Sequence, residues 1–399
     1  MAAASPDRER PPVLLFTIDA GGGHRAAARA LQAAAEEARA PFRLEVESFQ
    51  QVLLPLDVLR RATGVSLEEG YNLLLRRHWS VLMVPLLRLL HGAIRLRRRA
   101  ILGSLVPWLR ARPRPAAVVS VLPNFNGILR DAIARAHPGV PLVVVLTDLA
   151  DFPPRFWIEP GIDRVVVATE EAERQAGRIG VSASRVSRVS GMVLHPRFYR
   201  SAETAARDRV RRELGIGPDR FAVMMLFGGK GSPEMHPLAS QLLASDPELQ
   251  VIAVCGENPR LLHRLGELAA EANGRLVRLG FTDRIAELLA ASDLLVTKPG
   301  PGSLSEALHQ RVPVVVVRNL HTIPQERFNA EFVRARGLGR VVRHWREIPP
   351  VVTALRHDPA ERAAMRERLA ALPPNRAVYE VLEVIAAECE AGMAEPSAG

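Results

Sequence analysis

The stretch Val296–Leu308, VTKPGPGSLSEAL, decides how this chain is read. A short apolar run ends in a lysine, a Pro/Gly loop follows, and then a helix begins. Gly300 and Gly302 let the backbone turn sharply and bring its N–H groups close to a ligand. Ser303 and Glu306 stand at the spacing of a capping box, so the helix is expected to open at Ser303. The positive end of such a helix favours an anion, and a diphosphate suits it. Only two of the 53 basic residues are lysines, Lys230 and Lys298, and each lies in a Gly-rich loop. A chain that otherwise uses arginine places a compact, flexible ammonium at these two loops alone.

Around this loop the second half alternates strands and helices. FAVMMLF (221–227) runs into GGKGSP, LQVIAVC (249–255) into GENPRLLHRLGELAAEA, and RLVRLGF (275–281) into TDRIAELLAAS. DLLVTK (293–298) runs into the opening loop, and VPVVVV (312–317) into HTIPQERFNAEFVRARG. Five Val/Ile/Leu-rich strands separated by helices predict a parallel sheet covered on both faces. The first half has the same rhythm. PPVLLFTID (11–19) leads through GGGH (21–24) into an Ala-rich helix; strands follow at 44–49, 116–122, 141–148, 163–169 and 185–191, with helices at 126–136 and 170–178. The expected fold class is α/β, two Rossmann-like halves facing each other across a cleft. The domains are expected at 1–200 and 201–370, joined through the polar linker SAETAARD (201–208). A terminal helix, about 376–390, and tail make up 371–399, the helix packing back on the first domain.

Residues 56–112 break the rhythm. Leu82, Leu86, Leu89, Leu90 and Ile94 recur at helical spacing among arginine clusters, with Trp79 and Trp108 beside them. Between Arg60 and Arg114 there are twelve arginines and two acids, Glu68 and Glu69, while the rest of the chain carries 41 basic and 41 acidic residues. The whole net charge of +10 thus lies in the segment 60–114. Amphipathic basic helices with interfacial aromatics bind anionic membrane surfaces, so such a surface is the expected partner.

Composition excludes several classes. At 399 residues, 48% hydrophobic and 24% charged, the chain describes a soluble globular protein of two domains. Cys255 and Cys389 have neither CxxC spacing nor a histidine at ligand distance in sequence, which argues against a disulfide framework or a zinc site. The N-terminus lacks the apolar core of a signal peptide and no run is long enough to span a membrane, so a cytoplasmic protein, peripheral on the inner face of the cell membrane, is expected. There is no GxGxxG after a strand, no P-loop and no DxD loop, so neither a dinucleotide cofactor nor a metal is expected. A pI near 10.8 raises the alternative of a nucleic-acid binder, but aromatics make up only 5% and the arginines sit beside Leu-rich helical stretches.

Ligands of open parallel sheets sit at the carboxyl ends of the strands. GGKG (228–231), TKPGPGS (297–303) and TIPQERFN (322–329) should therefore converge on one rim. Gly228, Gly229 and Lys230 offer backbone donors and a charge; Gln325, Glu326 and Asn329 offer groups suited to sugar hydroxyls. The first half contributes Gly21, Gly22 and Gly23, then His24 at a helix N-terminus that disfavours its charged form and keeps it available as a base. LPNFN, with Asn126, and TDLADFPPRFW, with Asp148 and Asp151, lie at strand ends where an acid could act as base or orient His24.

Taken together, GGGHRAAA, TDLADFPPRFW, GGKG, TKPGPGSLSEAL and PQERFN resemble the motifs of the monogalactosyldiacylglycerol synthases and bacterial diacylglycerol glucosyltransferases. These are grouped with the peptidoglycan N-acetylglucosaminyltransferases in glycosyltransferase family 28. The resemblance covers roughly residues 12–345. It implies a GT-B fold, with a lipid acceptor at the first domain and a UDP-sugar donor at the second. It implies that the Lys230 and PGPGS loops hold the diphosphate, Glu306 the ribose, the backbone near Phe281 the uracil, and Gln325, Glu326 and Asn329 the sugar. His24 matches the GGGH histidine, candidate for base or acceptor contact. The chain departs from the plant Gly-Gln-Glu signature at Pro324, Gln325 and Glu326, and Lys298 precedes proline rather than alanine. The expected activity is inverting, metal-independent transfer of a hexose to diacylglycerol or a similar lipid. The alternatives are an N-acetylglucosaminyltransferase on an undecaprenyl-linked precursor, a UDP-sugar epimerase and a non-catalytic sugar-nucleotide sensor.

Overall fold

The computed structural model describes residues 10–18, 22–53, 83–200, 204–320 and 322–394. The chain divides into two compact units. The first is Met1–Pro196 with Ile323–Gln325 and Asn375–Gly399, and the second Arg197–Thr322 with Glu326–Pro374.

The first unit is built on six strands: β1 (Pro12–Thr17), β2 (Arg43–Ser48), β3 (Ala117–Ser120), β4 (Leu142–Val145), β5 (Arg164–Val167) and β6 (Val186–Arg188). They form one parallel sheet in the order β2-β1-β3-β4-β5-β6. The central strands are Val/Leu runs buried on both faces, as a helix-covered parallel sheet requires. Order reverses between β1 and β3, which opens a crevice beyond their carboxyl ends. The helix Ala377–Ala394 belongs to this unit, and Arg164 binds its Glu388 at 2.7 Å.

The second unit carries β7 (Phe221–Leu226), β8 (Leu249–Val254), β9 (Leu276–Leu279), β10 (Leu294–Thr297), β11 (Val314–Val317) and β12 (Gly339–Val342), again all parallel. Their order, β12-β11-β10-β7-β8-β9, is the dinucleotide-fold order with its reversal between β7 and β10. Five strands are expected from the sequence and six are found. β12, GRVV, pairs only with β11 and is too short and too polar to announce itself. The stretch read as a linker is helical from Thr204, in the helix Thr204–Glu213.

In the insertion, Trp79, Leu82 and the rest of residues 54–82 lie outside the described residues. Two helices follow, Met83–Leu96 and Arg98–Arg110. Ile101, Leu102, Leu105 and Leu109 are buried in the first core, with Leu90, Ile94 and Trp108 packed against it. Trp108 is therefore not the interfacial aromatic expected: its ring lies 5.6 Å from Phe16 and is capped by Arg112 at 3.4 Å. Leu89 (71% exposed) and Leu96 (85%) face outward instead.

Candidate functional site

The second unit brings its Gly-rich loops to the reversal point. GGKG leaves β7 and TKPGPGS leaves the adjacent β10, and Thr297 fastens the two strand ends by donating from Oγ1 to the Leu226 carbonyl at 2.6 Å. The Lys298 side chain reaches Gly228, whose left-handed φ of 77° suits glycine. Lys298 and Lys230 are both exposed.

The glycines divide by role. Among the described residues a side chain at Gly229 or Gly302 would meet nothing, which leaves room for a ligand to approach the backbone. Gly231 and Gly256 are packed shut: a Cβ at Gly256 would lie 2.2 Å from the Gly229 carbonyl oxygen, which accepts the Glu257 N–H at 2.8 Å. Neither Gly231 nor Gly256 is among the expected site residues. The CGEN turn after β8 carries the signal, a glycine at a strand end, but not the register that sets it against GGKG.

The helix after β10 opens earlier than its sequence suggests. It runs Pro301–His309 with Gly300 as N-cap and no side-chain cap. Proline at the first position is pre-set for helical φ and lacks only an N–H that would be unpaired there anyway. Ser303 thus sits inside the first turn, and the Ser303/Glu306 capping box does not form. The consequence favours the site, since the first-turn N–H groups of Gly302 and Ser303 have no side-chain cap in their way.

PQERFN opens the helix Pro324–Arg336. Asn329, fully buried, donates from Nδ2 to the Pro299 carbonyl at 2.7 Å and so ties this helix to the PGPG turn. Its Oδ1 and both amide atoms of Gln325, only 3% exposed, have no hydrogen-bond partner among the described residues. Buried amides normally find partners, so each of these atoms is open to a further polar group, a water or a ligand hydroxyl. A Cβ at Gly300 would lie 3.5 Å from Glu326 Oε1. Burial raises the Glu326 carboxyl, opposed by the charge of Lys298. Burial likewise pushes Glu306 up to about 7, opposed by Arg197. Phe281, 61% exposed, lies just past β9 at the sheet edge.

The crevice of the first unit gathers the other candidates. Gly21 lies outside the described residues. Gly22 is the left-handed N-cap (φ 86°) of the helix Gly23–Glu37, and among the described residues nothing stands within 4 Å of where a Cβ would lie on Gly22 or Gly23. His24 is partly buried; its Nδ1 is 3.0 Å from Thr147 Oγ1, beyond β4, and its ring is 5.4 Å from that of Trp157. Desolvation pushes His24 down to about 4, with a hydrogen bond to the Val121 carbonyl acting the other way. A neutral imidazole is thus kept, chiefly by burial rather than by the helix dipole invoked from sequence.

The two acids both engage the Trp157 loop. Asp151 accepts the backbone N–H groups of Trp157 at 2.7 Å and Arg155 at 2.9 Å, while its own N–H goes to Gln175. Burial pushes it up to about 6 against those bonds. Asp148 accepts from the Trp157 indole at 2.9 Å. Both carboxylates therefore frame Trp157. Asn126, expected to touch substrate, is spent internally: it donates to the Leu122 and Trp157 carbonyls and accepts from Ser120. It pins the LPNFN turn to the TDLADFPPRFW loop. Thr147 and Trp157 are the residues missed as candidates, though both stand in that quoted loop.

Among the described residues no group of acids, histidines and cysteines is arranged to hold a metal, and no helix is long and apolar enough to cross a membrane. The chain is similar to known proteins over most of its length. The family described as glycosyltransferase family 28 C-terminal domain matches residues 223–373, and that described as monogalactosyldiacylglycerol synthase matches residues 108–193. A processive diacylglycerol beta-glucosyltransferase of Bacillus subtilis (strain 168) is 29% identical over 278 residues, 69% of this chain and 70% of its own. A probable chloroplastic monogalactosyldiacylglycerol synthase 2 of Oryza sativa subsp. indica is 30% identical over 347 residues, 82% of this chain and 70% of its own. The crystal structure of Anabaena HepE in complex with UDP-glucose matches 95% of this chain and 99% of its own, with a TM-score of 0.54 at 17% identity, a likeness of fold. Two six-stranded parallel sheets of this kind make a GT-B fold. The chain belongs to glycosyltransferase family 28, in the branch that holds the monogalactosyldiacylglycerol synthases and the diacylglycerol glucosyltransferases, and is a glycosyltransferase.

Proposed function

We propose that the protein moves a hexose, galactose or glucose, from a UDP-sugar to the hydroxyl of diacylglycerol or a similar membrane lipid, with inversion and without a metal. The observation that carries the donor half is the set of buried, unpartnered amide atoms of Gln325 and Asn329 beside a Lys-bearing glycine rim. Sugar hydroxyls would satisfy those atoms, with Glu326 as a further acceptor. Lys298, Lys230, Gly228, Gly229, Gly300 and Gly302, with the helix start at Ser303, would neutralise the diphosphate. Glu306 would take the ribose and Phe281 the uracil. The complex of HepE with UDP-glucose and the names of the curated relatives support this reading.

In the transfer, the acceptor oxygen bonds to the anomeric carbon as the bond to the UDP oxygen breaks, the electron pair leaves on the diphosphate, and the acceptor proton passes to His24. Gly22 and Gly23 leave room for the acceptor beside that ring, Thr147 orients it, and Asp148 and Asp151 hold Trp157 against it. The basic insertion would dock the protein on an anionic bilayer. Incubation with a panel of UDP-sugars and diacylglycerol vesicles, with products read by mass spectrometry and the anomer by NMR, tests the proposal. Consumption of no sugar by any pair overturns it, and abolition of turnover by EDTA overturns its metal-independent part.

A further inference from the structure

The second unit holds a recess of about 320 Å³ that the donor site does not use. It lies at the amino ends of β10 and β11, among Arg207, Ser292, Asp293, Gln310, Arg311 and Arg366. The glycine loops leave the carboxyl ends of the same strands, so the two places are separated by the length of a strand, on the order of 13 Å for four residues.

Its electrostatics are unbalanced. Among the described residues Asp293 is the one acid lining it, and it is already saturated: Oδ1 accepts from Arg207 at 2.9 Å and Arg366 at 3.3 Å, and Oδ2 from the Ala222 N–H at 2.9 Å and Arg211 at 3.5 Å. Arg207 spends its other terminal nitrogen on the Ala290 and Ser292 carbonyls. Arg366 has most of its donors left over, and Arg311, exposed at the mouth, adds a charge that Asp293 does not meet. Behind them Arg362 is held below its usual value by burial and then by Arg366.

An arginine past a helix C-terminus is ordinarily explained by the helix dipole, and Arg311 follows Pro301–His309. That account does not reach Arg207 and Arg366, which come from the helices Thr204–Glu213 and Pro359–Ala370 to the same recess. Guanidinium groups lining one recess suit tetrahedral oxyanions. We propose that this recess binds a phosphate group, with Arg311 and Arg366 as its principal ligands and Arg207 as its floor.

The test is calorimetric titration of inorganic phosphate and pyrophosphate into a Lys230→Ala/Lys298→Ala protein, in which the glycine rim has lost its ammonium groups. Binding that persists there, weakens with salt and falls at least tenfold on adding Arg311→Gly and Arg366→Gln supports the proposal. Arg311 has a left-handed φ of 56°, so glycine relieves strain there, and an unchanged or higher melting temperature separates lost binding from lost folding. Co-sedimentation of the same proteins with vesicles containing a phosphomonoester lipid tells a headgroup from a free anion as the source. If neither probe binds the Lys-substituted protein, or if the arginine substitutions leave binding unchanged, the proposal is wrong. Neither outcome touches the donor-site reading, which rests on other residues.

Discussion

In the proposed transfer, His24 is the residue on which the chemistry turns. Its ring is held in one place by Thr147 and desolvated, so that it ionises only near about 4 and is neutral through the physiological range. As a general base it should be worth roughly 10²–10⁴-fold in kcat. His24→Ala is expected to lose that factor with little change in the KM for the UDP-sugar, and near-normal turnover would remove it as the base. Thr147→Val, which keeps shape and loses the hydroxyl, is expected to lower kcat less than His24→Ala does; an unchanged kcat would leave Thr147 no positioning part. Because the depressed group must be neutral to act, kcat/KM should fall as pH drops through about 4 and stay flat above it on this account. Glu306 has the opposite sign. Its carboxyl is raised to about 7 by burial, so its charged form is the costly one, and stability present below about 4.5 is lost as pH rises through 7. Glu306→Gln should therefore raise the melting temperature at pH 8, by the equivalent of ~1–3 kcal/mol after allowing for solvent access, and do little at pH 4. A fall at pH 8 would mean the charge is compensated. Of these features the sequence revealed the GGGH histidine and the Ser303/Glu306 spacing. Its reason for a neutral His24, and the cap it assigned to Ser303, depended on neighbours that only the fold brings up.

At the scale of elements, the Val/Ile/Leu runs were legible because a strand buried on both faces has to be apolar throughout. The order of the strands was not, since nothing in a run such as VPVVVV says which run lies beside it. That order matters here. It puts GGKG and TKPGPGS on adjacent strands at the reversal point, and it presses Gly256, four elements from Lys298 in sequence, onto the Gly229 carbonyl. Two alanine substitutions separate packing from approach. Gly256→Ala meets a carbonyl at 2.2 Å with φ at 58°, so it should destabilise the second unit by ~1–3 kcal/mol and shift the GGKG loop. Gly229→Ala meets nothing, so it should leave the melting temperature within about 1 kcal/mol of wild type yet weaken UDP binding several-fold by standing where the ligand approaches. Thermal denaturation beside UDP titration reads both, and Gly229→Ala binding UDP as well as wild type would show that the open side of the loop is not the ligand's side.

For the whole molecule the informative quantity is where the charge lies. Outside residues 60–114 basic and acidic residues are equal in number, so the excess charge that could draw the protein to an anionic surface lies in that segment. Its described part has two faces. One packs Leu90, Ile94, Ile101 and Leu105 inward; the other leaves Leu89 and Leu96 exposed beside Arg95, Arg97 and Arg99. Arg98 is engaged with Asp131 and is discounted. At about 1 kcal/mol for each basic residue near an anionic bilayer, the three arginines would contribute ~3 kcal/mol, a factor on the order of 10² in affinity. Reversing them together, Arg95→Glu with Arg97→Glu and Arg99→Glu, is expected to lose at least that factor on vesicles rich in anionic lipid and almost nothing on purely zwitterionic ones. Leu89→Ser with Leu96→Ser should remove a different share, the one that survives when the Debye length is cut to roughly 3 Å at 1 M salt. Co-sedimentation across a salt series separates the two contributions. If wild type binds both kinds of vesicle equally and the charge reversals change neither, the +10 carried by this segment is a solvated surface and the enzyme meets its lipid by another route.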